Sequence, residues 1–329
     1  MNYLLTLVSF FSIGIILAMS LNLLMGYTGQ VSMAHGGFMG IGAYTAAWFA
    51  INAEINMVWA MFLAAAAAAL IGGLFALATA RISGDEFILA SFALQMVIVE
   101  AISRWTDVTR GTYGLSGVPK PELFGEPLRT IQQFSVFAVV VMLICAVIMM
   151  RMGGSTYGLV LRGVRESVPS MQALGRNTAH VKILVMVIAC AFAGIAGTLQ
   201  ASLVTFIHPD SFTIMLSIII VAYLLVGGLG NMWGAAVGAV ILLSIPELIA
   251  TSEFIPSNLL GPMERVVYGV ILMGFVWFRP KGLIAERPVL RVQRMLRRGT
   301  VTAPAAASAG AASSSSATTG STTSTGETR

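Results

Sequence analysis

Charge is what this sequence has least of. Only 10% of its 329 residues are Asp, Glu, Lys or Arg, against roughly 25% in an ordinary soluble domain, so water is not the main solvent of this chain. Cysteine is almost absent as well. Cys145 and Cys190 both sit inside apolar segments without metal-ligand spacing, which excludes a disulfide framework and a cysteine metal site. The three lysines, Lys120, Lys182 and Lys281, never form a G-K-[ST] phosphate loop, and none of His35, His180 or His208 opens an H-E-x-x-H pattern. ATP binding by a phosphate loop and zinc hydrolysis are thereby excluded, and no motif calls for a cofactor. The net charge of +5 does not point to nucleic acid either, because the basic residues are not interleaved with aromatics.

What is present is apolar length: 57% of the residues are hydrophobic. Nine segments approach the roughly 20 residues that cross a bilayer as a helix: Tyr3 to Met25, Gly36 to Ala50, Met57 to Ala80, Phe87 to Ile102, Phe134 to Met150, Val181 to Leu203, Phe212 to Leu229, Trp233 to Ala250 and Val266 to Phe278. Several are short enough to be re-entrant. The expected fold is an all-α, polytopic transmembrane helix bundle of about eight to ten spans with broken or re-entrant glycine-rich segments, over residues 1–298. The first segment is too long for a signal-peptide core and has no basic residue before it, so it is taken as a retained span. Residues 299–329 are Ala, Ser, Thr and Gly with almost no large apolar side chain; such a tail cannot offset its own ordering entropy and is expected to be disordered.

Orientation follows from the positive-inside bias. Arg151, Arg162, Arg165, Arg176 and Lys182 oppose a single Glu166 in one connection, and seven Arg or Lys residues between 279 and 298 oppose only Glu286. Both regions are expected on the cytoplasmic side of a bacterial inner membrane. The charge-balanced stretch from Ser103 to Gln133 and the N-terminus then lie outside.

Residues 26–44 read G-Y-T-G-Q-V-S-M-A-H-G-G-F-M-G-I-G-A-Y. Glycine at this density serves close helix packing, or it marks a broken helix on a solute path in which Gln30, Ser32 and His35 satisfy the freed backbone groups. His35 has no second ligand spaced to make a metal site. The second cluster, Gly227-Gly228-Leu229-Gly230-Asn231, is either a tight interhelical turn or a second break. Gly29, Gln30, Ser32, His35, Gly227, Gly228 and Asn231 together form the candidate translocation lining. G-L-S-G at 114–117 superficially matches an intramembrane serine protease, but Ser116 falls in a polar loop before Pro119. The only carboxylates within apolar spans are Glu100 and Glu247, both near the ends, which offers little to an ion-coupled carrier. From Tyr157 to Asn177, Leu161, Val164 and Val168 recur at helical spacing with basic residues on other faces. Such a helix either lies on anionic lipid or docks into a cytoplasmic partner.

These elements, in this order, resemble the permeases of branched-chain amino-acid ABC importers, specifically the LivM-type subunit. The ordered set is the glycine-rich run from Leu21, T-x-G-x-x-G-L from Thr109, R-x-x-R-E from Arg162, A-G-I-A-G-T-L from Ala193, V-G-G-L-G-N-M-W-G from Val226 and R-P-K-G-L from Arg279. The resemblance implies a transport subunit and not an enzyme, working with a second homologous permease, two cytoplasmic ABC ATPases and a periplasmic solute-binding protein. It also implies that Arg162 to Gly175 forms the segment coupled to an ATPase, with Arg162, Arg165, Glu166 and Gly175 at matching positions. After Glu166 the sequence departs from the family, with Ser167, Val168, Pro169, Ser170 and Met171 in place of acidic residues and alanines, which bears on the helix's continuity. The implied solute is a branched-chain amino acid, with urea, short amides or aromatic acids as alternatives. A lining poor in charge suits a zwitterion, whose ends could meet helix termini and backbone groups exposed by the breaks.

The topology is tested by accessibility. Cysteines introduced as Gln172→Cys and Gln293→Cys are expected to resist an impermeant thiol reagent added to intact cells; labelling of either from outside would overturn the map.

Overall fold

The computed structural model describes residues 2–82, 84–123, 126–128 and 130–250, with positions 266, 269, 270, 273, 274, 277 and 282–284 beyond them. The candidate span Val266 to Phe278 lies largely outside the described residues, and the tail from 299 lies wholly outside them.

Eight long helices coincide with the first eight apolar segments. They are α1 (Asn2–Leu21), α2 (His35–Asn52), α3 (Met57–Ala78), α4 (Asp85–Arg104), α6 (Ile131–Gly154), α9 (Thr178–Val204), α10 (Ile214–Gly227) and α11 (Met232–Ala250). Among the described residues, six helices are long and apolar enough to cross a membrane; α2 and α11 are not in that set, α11 because its apolar stretch is short. The chain is thus an all-α, multi-pass bundle. The described residues also hold three short α-helices, α5 (Thr106–Thr109), α7 (Thr156–Glu166) and α8 (Val168–Ala173).

Helix starts follow local chemistry. Asn56 Oδ1 accepts from the Val58 amide at 3.0 Å and starts α3, while Asn177 Oδ1 accepts from the His180 amide at 3.1 Å and starts α9. Each satisfies one of the amide donors that a helix start leaves orphaned. Asp85 and Glu86 open α4 and Arg104 closes it, complementing the helix dipole. The α11 helix runs through Pro246 to Ala250, the end of the apolar segment. Proline interrupts one backbone bond, and membrane helices tolerate that where neighbours take up the freed group.

The core is organised on α9, which packs along α2 and α3 and also against α1. It is the most enclosed span, 67% buried over its apolar window, whereas α4 is 28% buried. Leu70, Leu74 and Leu77 on α3 and Leu89 and Val97 on α4 are exposed, as befits surfaces that meet hydrocarbon. The α2–α9 contact depends on glycine. A Cβ on Gly197 would lie 2.0 Å from the Met39 carbonyl oxygen, and one on Gly42 would lie 2.3 Å from Gly194 Cα. Cys145 and Cys190 are buried and unpaired within this packing, as small apolar side chains.

The 103–133 connection is partly structured. In it, β1 (Leu115–Ser116) pairs antiparallel with β4 (Phe206–Ile207), and β2 (Glu122–Leu123) pairs with β3 (Glu126–Pro127). Ser116 is exposed in the first ladder, away from the interior that a protease nucleophile would need.

Because the α2–α9 contact leaves no room for a side chain, Gly197→Val is expected to destabilise the protein by at least the ~1–3 kcal/mol typical of overpacked cores. Gly154→Ala, at an open position, is expected to change little. Thermal unfolding of the detergent-purified variants checks both.

Candidate functional site

The glycine-rich run is a true break. Helix α1 continues through a π-turn at Asn22–Gly26 and stops at Gly29, whose φ of +75° a side chain would strain. Residues 29–34 are irregular, and α2 begins at His35. The Met33 amide donates to Ser91 Oγ at 3.0 Å and the Gly37 amide to Gln95 Oε1 at 2.7 Å. Both acceptors are on α4, where Gln95 lies about 15 Å along the axis from Asp85 at 1.5 Å per residue. The start of α2 therefore sits deep within the bundle, where an unpaired backbone group costs several kcal/mol.

Side chains from two other helices, α4 and α10, meet that need. Gly36 donates its amide to Ser217 Oγ on α10 at 2.9 Å, and Ser217 Oγ lies 3.3 Å from Gln95 Oε1. Gln95 Nε2 in turn donates to the Phe212 carbonyl at 2.6 Å. Nε2 of His35 is 2.9 Å from Ser20 Oγ at the end of α1. Ser20, Ser32, His35, Ser91, Gln95 and Ser217 are all fully buried.

This arrangement corrects part of the sequence reading. Of the three residues expected to satisfy the freed backbone, only Ser32 does so, accepting from the Ala34 amide at 3.3 Å. His35 bonds Ser20 instead, leaving Nδ1 without a partner, and Gln30 Oε1 is buried without one. The helix terminus is not exposed to a solute here, because Gln95 and Ser217 already occupy the Gly37 and Gly36 amides. Among the described residues no group of His, Cys, Asp or Glu could hold a metal ion. Sequence reasoning missed Gln95, Ser91 and Ser217. The available signal was their polarity: an amide near the middle of an apolar span, with a serine one turn before it on the same face.

The second cluster is a tight turn between α10 and α11. Asn231 Oδ1 accepts from the Trp233 amide at 3.1 Å and starts α11, and a Cβ on Gly227 would lie 2.0 Å from the Gly234 carbonyl oxygen. Gly228 and Gly230 have φ of +113° and +77°. The Leu283 and Ile284 amides close the end of α10 by donating to the Val226 and Gly227 carbonyls at 2.9 and 3.0 Å. Asn22 joins the two clusters, its Oδ1 accepting from the Gly230 amide at 3.0 Å.

Segment 157–177 is two helices, not one. Ser167 is extended between α7 and α8, and its Oγ accepts from the Ser170 amide at 3.3 Å; with Pro169 in the first turn, this cap starts a new helix. On α7, Leu161 and Val164 are buried, whereas on α8 no residue is fully buried and Val168 and Met171 are half-buried against the core. Leu174 after it is 76% exposed, and Gly175, with φ of +75°, ends the turn. The Arg165 side chain is largely covered, at 25% exposed, and Glu166 is 74% exposed; the two are ion-paired, with Arg165 Nη2 3.4 Å from Glu166 Oε1. The Arg162 guanidinium lies 4.9 Å from the centre of the Tyr27 ring. The structure thus brings the 162–166 segment against the first glycine cluster, and it brings the two clusters together through Asn22. Of the two acidic residues in the spans, Glu100 is exposed and paired with Arg104 one turn on.

Apolar spans around an interrupted, internally capped helix define a multi-pass membrane protein of the transport-permease class. The chain belongs to the branched-chain amino acid transport system permease family, whose model matches residues 3–276. It is 28% identical to the high-affinity branched-chain amino acid transport system permease protein LivM of Escherichia coli K12, over 89% of this chain and 72% of that protein. The corresponding LivM of Salmonella typhimurium is 27% identical over 87% and 70%. A probable branched-chain amino acid transport permease protein LivM of Methanocaldococcus jannaschii is 25% identical over 71% and 70%. No solved structure matches the chain.

If the Gln95 amide holds the break, Gln95→Leu leaves the Gly37 amide and the Phe212 carbonyl unpaired. It is expected to lower stability by about 2 kcal/mol or more, at 1–3 kcal/mol per buried unsatisfied group. Thermal unfolding in lipid nanodiscs measures it, and a Leu variant as stable as the parent would remove Gln95 from this role.

Proposed function

We propose that this chain is one of two permease subunits in an ATP-driven importer, and that it forms part of the path for branched-chain, apolar amino acids by alternating access. The observation that carries this is the α7–α8 pair. A helix pair anchored by Leu161 and Val164, with Val168 and Met171 partly buried against the core and an exposed end from Gln172 to Asn177 that carries Leu174 and Arg176, suits a socket on another protein better than it suits solvent. Cytoplasmic ATPases are the partners proposed for that face, with Glu166 and the α8 end, including Gly175, making the contact. The basic charge around α7 and α8 then lies on the cytoplasmic side of the inner membrane, and a periplasmic solute-binding protein delivers the solute from the other side. A second homologous permease completes the membrane unit.

Gly29, Gln30, Ser32, His35, Gly227, Gly228 and Asn231 belong in this reading to the moving core next to the path. They surround the two interruptions, where the backbone can change direction. Little fixed charge is available to pair with a strongly ionic solute, which favours a net-neutral one. The family relationship favours an apolar amino acid over urea.

Vesicles reconstituted with the partner permease, both ATPases and the cognate binding protein test this. Uptake of labelled leucine is expected to require ATP and to survive collapse of ion gradients. Urea uptake without leucine uptake or competition would reject the amino acid, and loss on gradient collapse would reject the ATP-driven class. In the same system, Leu174→Asp is expected to cut uptake about 30-fold, the ~2 kcal/mol scale of one interface hot spot, with membrane insertion unchanged.

A further inference from the structure

The α7 helix does not merely lie beside the bundle. Arg165 Nη1 donates to the carbonyl of Gly26, the last residue of the π-turn. Its side-chain stem packs on Gly29, where a Cβ would lie 3.1 Å from Arg165 Cγ. Arg162 covers the Tyr27 ring from the same helix, and α6 closes the other side, since a Cβ on Gly153 would lie 2.6 Å from the Tyr27 hydroxyl. A helix end leaves its last carbonyls without intrahelical partners and carries partial negative charge, and a guanidinium answers both needs.

Behind the Gly26 carbonyl there is no slack. A Cβ on Gly26 would lie 2.0 Å from Asn22 Oδ1 and 2.5 Å from the Gly230 nitrogen, and Asn22 Oδ1 already holds the Gly230 amide at 3.0 Å. Arginine, π-turn, asparagine and the α10–α11 turn therefore form one continuous stack. A displacement of α7 therefore acts on the helix break through Arg165 and on the second glycine turn through Asn22.

We infer that Arg165 is a transmission clamp: it passes movement of the α7–α8 pair to the helix break at Gly26–Gly29 and onward to the α10–α11 turn, and it takes no part in binding the ATPase. This rests on the proposal that α7–α8 meets an ATPase, and it divides that segment into an outer docking half and an inner gripping half. Arg165 is thus a positioning residue, acting through backbone it holds.

The test uses the full reconstituted importer and compares solute imported per ATP hydrolysed. Arg165→Gln is expected to assemble with the ATPases and hydrolyse ATP near the parent rate while solute imported per ATP falls about tenfold, a change within the range for residues on a coupling path. Arg165→Lys, which can still donate to the Gly26 carbonyl, is expected to recover part of it. Leu174→Asp is expected to do the reverse, losing ATPase association itself. An unchanged ratio in Arg165→Gln, or loss of ATPase association like that of Leu174→Asp, would overturn the clamp. Intact ATPase association in Leu174→Asp would instead overturn the docking proposal.

Discussion

A backbone amide without a partner is costly in hydrocarbon, and the fold depends on how one set of them is paired. Helix α2 starts inside the bundle, so its first donors cannot turn to water. Gln95 resolves this with one side chain, accepting from the Gly37 amide and donating to the Phe212 carbonyl, while Ser217 takes the Gly36 amide. Those contacts fix α4, α2, α10 and the turn before α10 relative to one another. The glycines of α2 then lie where α9 can approach, and the central packing of α9 on α2 and α3 follows.

The same constraint accounts for the other end of the break. A helix that stops near Gly29 must also dispose of its last carbonyls, and the group that takes the one at Gly26 comes from α7. The interruption is therefore capped by interior polar side chains on one side and by an arginine of an outlying helix on the other. Interrupted helices in transporters place irregular backbone only where protein encloses it, and here the enclosure is also the route by which an outlying helix reaches the core. Asn22 extends it to the α10–α11 turn, so the two glycine clusters are one mechanical unit despite the roughly 200 residues between them in the chain.

Much of the fold was legible in the sequence, because apolar runs of helical length need no tertiary information to be read. The break was legible from glycine density, and the stretch from Ser167 to Met171 put the continuity of the 157–177 helix in question without placing the new start at Ser167. The pairings were not legible. Gly37 meets Gln95 across 58 positions and Gly36 meets Ser217 across 181, and a single polar residue in an apolar run does not announce its partner. The direction of Arg165 was hidden for a similar reason: a basic residue on an amphipathic helix has the same spacing whether it faces lipid, a partner or its own fold.

Hydrogen exchange at the start of α2 tests the central claim most directly. With the protein in lipid nanodiscs, the amides of Gly36 and Gly37 are expected to exchange as slowly as those in the middle of α9, because side chains from α4 and α10 hold them away from solvent. Exchange at the rate of an open loop would contradict the account, since the break would then be an exposed terminus and not a capped one.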